Sequence, residues 1–187
     1  GDPRHLLVEV ARVLTKLNIL YFVTGGMAVF VWGRPRFTAD IDIVVNLKAP
    51  NVNELAHELN ALSVTNYIDV SMMQKALMRK GEFNFIDGAT GVKVDFFIAD
   101  EGEFKQIQFK RRLLRKILAY GVYFVSPEDL ILNKLLWHKE GESYKQLEDI
   151  GSILKSKKNL DWKYINKWAK IHSTAKTLRT LRKKHVY

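Results

Sequence analysis

Asp40 and Asp42 stand two residues apart in the run Asp40-Ile41-Asp42-Ile43-Val44-Val45. On a β-strand, residues i and i+2 project from one face, so this run predicts two carboxylates side by side. Paired hard oxygen donors suit divalent magnesium or manganese. A strand with two acids on its wet face has the same pattern, so the pair alone leaves both readings open. Upstream, Ile19–Val23 is short, apolar and β-prone, and it runs into Thr24-Gly25-Gly26. Met27–Trp32 then suits a helix, which the proline of Gly33-Arg34-Pro35 ends. The order strand, glycine turn, helix leaves bare backbone amides at a helix start, where they can cradle phosphate. A tight turn with no ligand would also ask for glycine.

Together these features are more specific. Thirteen residues separate Gly26 from Asp40, and the whole resembles the signature of the DNA polymerase β-like nucleotidyltransferase superfamily: a strand end, Gly-Gly or Gly-Ser, a short helix, then acid-hydrophobic-acid. The stretch Gly25-Gly26-Met27-Ala28-Val29 through Gly33-Arg34-Pro35-Arg36-Phe37-Thr38-Ala39-Asp40-Ile41-Asp42 is most similar to one branch. That branch holds the stand-alone bacterial and archaeal nucleotidyltransferases akin to abortive-infection (type IV) toxins. Ser126-Pro127-Glu128-Asp129-Leu130-Ile131 with Lys134, then Leu147-Glu148-Asp149-Ile150, looks like its helical segment.

The resemblance implies a metal-dependent enzyme that moves a nucleoside monophosphate from ATP or another NTP to an acceptor hydroxyl and releases pyrophosphate. Gly25 and Gly26 would hold the triphosphate, and Asp40 and Asp42 the Mg2+ or Mn2+ ions. Asp95, in Val92-Lys93-Val94-Asp95-Phe96-Phe97, matches the family's third carboxylate, which completes the metal site and accepts the hydroxyl proton. Lys93, on the same face, could instead simply pair with Asp95. Lys134 matches a lysine that reaches the triphosphate, and Arg36 and Thr38 lie beside the site. The sequence departs from the family pattern at Ala28, where many members carry serine, and at Gln146, where an aspartate is expected beside Lys145. A toxin role with an antitoxin partner follows by analogy alone. A catalytically silent binding module on the same scaffold is the rival reading, and three intact carboxylates argue against it.

The elements that must position these residues can be read from periodicity. Leu6, Leu7, Val10, Val13, Leu14 and Leu17 predict a first helix ending near Asn18. Further helices are expected over Val52–Leu62 and Ser71–Lys80, the latter capped by Ser71 and stopped by Gly81. Phe83–Ile86 and Val92–Ala99 read as a hairpin about Asp87–Gly91, and Ile117-Leu118 with Val122–Val125 as a second about Tyr120-Gly121. Ser126-Pro127-Glu128-Asp129 is a helix start with Ser126 as its cap. Helices then follow over Pro127–Lys139, Tyr144–Leu154 and Trp162–Ile171, with a last basic one through Leu178 and Leu181. The expected fold is α+β: a catalytic domain with a mixed sheet over 1–125 and a helical domain with a basic tail over 126–187. Trp32, Trp137, Trp162 and Trp168 are expected to pack in the core. The five histidines show no metal-ligand spacing.

Composition bounds the answer. The 187 residues are 47% apolar and 27% charged, as in an ordinary folded chain. With no cysteine, disulfides, thiolate zinc sites and cysteine nucleophiles are excluded, in keeping with the expected cytoplasmic location. The sequence contains no apolar run of membrane-spanning length and shows no signal-peptide pattern, so no membrane partner is expected. The formal charge is +10, and residues 155–187 hold 11 of the 30 bases with one of the 20 acids. That excess favours a polyanionic acceptor, RNA or a tRNA end, over a small molecule or a protein.

Overall fold

The computed structural model describes residues 2–36, 38–62, 64, 68–141 and 143–186. Phe37 of the motif lies outside them. Contacts divide the chain into a unit of Gly1–Gly26 with Phe37–Phe124, and a unit of Met27–Arg36 with Val125–Tyr187.

The first unit is built on a six-stranded mixed sheet. Its strands are β1 (Tyr21–Thr24), β2 (Asp40–Val45), β3 (Glu82–Ile86), β4 (Lys93–Ile98), β5 (Leu113–Ile117) and β6 (Tyr120–Phe124), in the order β3-β4-β2-β1-β6-β5. β2 runs parallel to β4 and antiparallel to β1, and β1 runs parallel to β6. Alternation places Ile41, Ile43 and Val45 in the core, where each is fully buried. The helices of this unit are α1 (Pro3–Lys16), α3 (Val52–Ala61), α4 (Val70–Arg79) and α5 (Glu103–Arg111). α2 (Gly25–Trp32) begins at the glycines themselves.

Three local expectations are corrected. Asp69, not Ser71, caps α4 by accepting from the Ser71 amide at 2.9 Å, because a carboxylate one residue outside the helix reaches that donor. Lys80, rather than Gly81, takes the left-handed conformation (φ 52°) that ends α4. The second hairpin turns at Leu118-Ala119, both at positive φ (48° and 69°), and not at Tyr120-Gly121. Two positive φ values define the type I′ loop that matches strand twist, even without glycine. α5 was not expected, since its sequence shows no apolar stripe.

The second unit is helical, with α6 (Pro127–Gly141), α7 (Tyr144–Ser156), α8 (Trp162–Ile171) and α9 (Ala175–His185). Ser126 Oγ accepts from the Asp129 amide at 3.0 Å, closing the expected cap. Trp32 Nε1 donates to the Val125 carbonyl at 2.8 Å, and the Arg34 amide to Ser152 Oγ at 2.7 Å. Both bonds hold the segment after α2 to this unit. Trp32 and Trp168 are core residues, Trp162 is half-buried and outside the core expected for it, and outside it too is Trp137, which is 45% exposed. Its position on α6 faces away from the apolar contacts made by Ile131 and Leu135. Among the described residues no helix is long and apolar enough to cross a membrane.

Candidate active site

The site is organised by strand register. Thr24 of β1 lies opposite Asp42 of β2, Asp42 lies beside Asp95 of β4, and Asp95 lies opposite Asn84 of β3. Register partners project to the same face, so these four residues form one polar row across four strands. The adjacent row, Val23, Ile43, Phe96 and Phe83, points the other way and is buried. One step along β2, Asp40 joins the polar face beside Lys93. Asp40 is exposed, while Asp42 and Asp95 are half-buried.

The glycine turn lies directly on this row. Gly25 has φ +65°, and a Cβ there would stand 2.8 Å from Asp42 Cγ. Glycine is therefore required twice, for the left-handed backbone and for the close approach to the carboxylate. Thr38 Oγ1 donates to the Asp40 carbonyl at 3.0 Å and fixes the entry into β2.

Lys93 brings a cation to this face. Its Nζ lies 3.3 Å from Asp95 Oδ2. That bond holds the Lys93 ammonium above its usual pKa, and the charges of Asp40 and Asp42 add to the effect. Among the described residues no group of three or more histidine, aspartate or glutamate side chains closes into a metal-holding cluster. The donor set still fits a hard divalent cation in kind: three carboxylates share one face, and the nearest charge to Asp95 is an ammonium that a cation can replace.

Arg36 and Lys134 belong to the helical unit. There Asp149 Oδ2 accepts from Lys134 Nζ at 2.9 Å and pairs with Arg36 Nη2 at 3.3 Å. Lys134 also donates to Gln146 Oε1 at 3.0 Å. The residue that departs from the family pattern thus serves as a neutral acceptor. Lys134 is 4% exposed, so it is no solvent-reaching surface lysine. Burial pushes its pKa below the usual value, and the Asp149 carboxylate works against that shift.

The structure thus brings Gly25, Asp42 and Asp95 together with Asp40 on one face, and gathers Arg36 and Lys134 around Asp149. Sequence reasoning missed Asp149 as the hub of the second group, although it lies inside the quoted Leu147–Ile150 stretch. It also missed the contact between Gly25 and Asp42, which no spacing rule encodes.

Residues 7–182 match the family model described as nucleotidyl transferase AbiEii toxin, type IV TA system. Among solved structures, the chain is similar to the antibiotic-resistance factor ANT(2'')-Ia, at 18% identity and a TM-score of 0.60 over 97% of each chain. It is also similar to an antigenic nucleotidyltransferase-like protein from Paracoccidioides brasiliensis, with 19% identity and a TM-score of 0.54 over 96% of this chain and 91% of that one. A third is the lincosamide antibiotic adenylyltransferase LnuA, with 12% identity and a TM-score of 0.55 over 84% of this chain and 98% of that one. At these identities the structural likenesses establish the mixed-sheet α+β fold. No curated protein sequence matches the chain.

Proposed function

The chain belongs to the AbiEii nucleotidyl transferase toxin family of type IV toxin–antitoxin systems, and on that premise we propose that it transfers a nucleoside monophosphate from an NTP to a hydroxyl of RNA. The observation that carries this reading is the glycine turn seated on Asp42. A phosphate cradled by the amides at Gly25 and Gly26 would lie next to the carboxylates that can hold cations.

In this reading the attacking hydroxyl oxygen bonds to the α-phosphorus, the bond to the β-phosphate oxygen breaks, and pyrophosphate leaves. Asp95 accepts the hydroxyl proton. Gly25 and Gly26 bind the triphosphate, while Thr38 holds the start of β2 so that Asp40 and Asp42 stay on one face. Arg36 and Lys134 remain the resemblance's candidates for contact with the triphosphate, and both are paired with Asp149. Divalent cations held by Asp40, Asp42 and Asp95 would neutralise charge on the phosphates, which is the main requirement of such transfers.

RNA is favoured as acceptor by the exposed bases of α8 and α9, among them Lys163, Lys167, Lys170 and Arg179. Action as a toxin, with an antitoxin as its genetic partner, is the biological setting that the family's designation supports. The test is to incubate the protein and Mg2+ with each α-labelled NTP and total cellular RNA. Label in an RNA band supports the reading. Label that appears only on an antibiotic of the kind named for ANT(2'')-Ia and LnuA, or only on protein, overturns the choice of acceptor.

A further inference from the structure

Residues 157–161 join α7 to α8, and this elbow borders an open-sided cavity of about 240 Å3. Leu154 and Leu160 give it an apolar wall, Lys157 and Lys158 stand at it, and Trp162 and His185 line it too. No acidic residue lines it among the described residues. Asn159, left-handed at φ 60°, makes the bend that brings the lysines before it to the start of α8. The Arg182 guanidinium lies 3.6 Å from the ring centroid of Trp162, one of the lining residues.

His185 supplies the second observation. One edge of its ring packs on α7, where a Cβ at Gly151 would stand 2.6 Å from its Nε2. On the other edge, Nδ1 is buried with no hydrogen-bond partner. Leaving such a group unsatisfied is costly, so a small turn of the ring that brings Nδ1 to a ligand in the cavity would gain a hydrogen bond. Burial, with Lys155 and Lys184 nearby, lowers the His185 pKa, which keeps the ring neutral at pH 7 and gives it one donor and one acceptor nitrogen.

We propose that this elbow seats one nucleotide of single-stranded RNA. Its phosphate sits on Lys157 and Lys158, its base and sugar lie against Leu154 and Leu160, and His185 Nδ1 bonds a polar edge. Free phosphate would satisfy the lysines and leave the apolar wall uncovered, whereas a nucleotide covers both. The net positive charge of residues 155–187 is the matching field for a polyanion. The assignment rests on RNA being the acceptor and names where it docks.

The test is fluorescence anisotropy of a labelled single-stranded oligouridine with the full chain across a salt series. The variants are Lys158→Gln, Lys157→Gln/Lys158→Gln, His185→Phe and a reference pair of equal charge, Lys163→Gln/Lys170→Gln. Lys158 is exposed, so its single substitution leaves folding intact. The pocket pair should weaken binding about tenfold and lower the log–log salt slope by roughly 0.7 per lost phosphate contact. The reference pair should cost no more than about a third of that factor, since it removes charge without a seat. His185→Phe should weaken binding with the slope unchanged. Equal losses from both pairs would overturn the pocket in favour of diffuse charge. So would inorganic phosphate, at matched ionic strength, erasing the difference between wild type and the pocket pair, which would mark a free-phosphate site. A wild type that binds no RNA but labels another acceptor defeats both this proposal and the acceptor reading. A wild type that binds and labels RNA with pocket variants equal to it defeats the pocket alone.

Discussion

Lys93–Asp95 in the sheet unit and Lys134–Asp149 in the helical unit are the same chemical pair at 3.3 and 2.9 Å. Their side chains differ in exposure, 38% and 16% against 5% and 8%. Solvent screens the first pair, so its carboxylate can exchange an ammonium for another cation at small cost. The second is nearly closed from water, and Gln146 and Arg36 complete its hydrogen bonds there. Environment, rather than pairing, marks which of the two acids is available for chemistry.

The largest expected effect comes from breaking the buried pair. Asp149→Ala leaves the Lys134 and Arg36 charges without their shared carboxylate and should cost about 3–5 kcal/mol, which for a chain of this size lowers the melting temperature by roughly 10 °C. Calorimetry or thermal circular dichroism measures it, and a drop under about 2 °C would put Lys134 in an environment as wet as that of Lys93.

Next comes Gly25→Ala. Gly25 and Gly91 both have positive φ, +65° and +75°, but a Cβ at Gly91 meets nothing within 4 Å while one at Gly25 strikes Asp42. Each alanine carries a backbone penalty of about 1–2 kcal/mol. Only Gly25→Ala should also displace a carboxylate and lose nucleotide transfer. Equal activity in the two purified variants would show that the contact with Asp42 is incidental.

Lys93→Met should change stability by less than about 1 kcal/mol and reduce the Mg2+ concentration needed for half-maximal transfer, because a competitor for Asp95 is gone. A raised Mg2+ requirement would mean that Lys93 supports the site rather than occupying it.

The smallest effect is in pH. Burial lowers the pKa values of His172 and His185 from 6.5. Below pH 6.5 the unfolded chain therefore takes up protons before the folded chain does. Stability from these rings is complete above that pH and is lost as pH falls toward their folded values. Melting temperatures at pH 7.5 and 5.5 should differ less in His185→Phe than in wild type.

What was legible in sequence was what is local. The alternation of Asp40–Val45 set the strand, its face and the Asp40/Asp42 pair, and Ser126-Pro127 marked the start of α6. α5 was not legible because Phe104, Ile107 and Phe109 are too few and too unevenly spaced to make a stripe. The Leu118-Ala119 turn was hidden because its positive φ values fall on residues that carry no turn signal. The meeting of Asp42 with Asp95 depends on β2 and β4 pairing in parallel at one register. The hold of Asp149 on Lys134 depends on α6 folding back on α7. Both are tertiary facts that the resemblance could suggest but spacing could not.

In the proposed reaction the half-exposed acids beside the glycine turn carry the chemistry. Asp42→Asn tests it most directly, since it removes one charge, keeps the shape and leaves every helix intact. With labelled NTP, Mg2+ and RNA, the account predicts an unchanged melting temperature and transfer reduced by at least about 100-fold. A folded Asp42→Asn protein that labels the acceptor at the wild-type rate would contradict it.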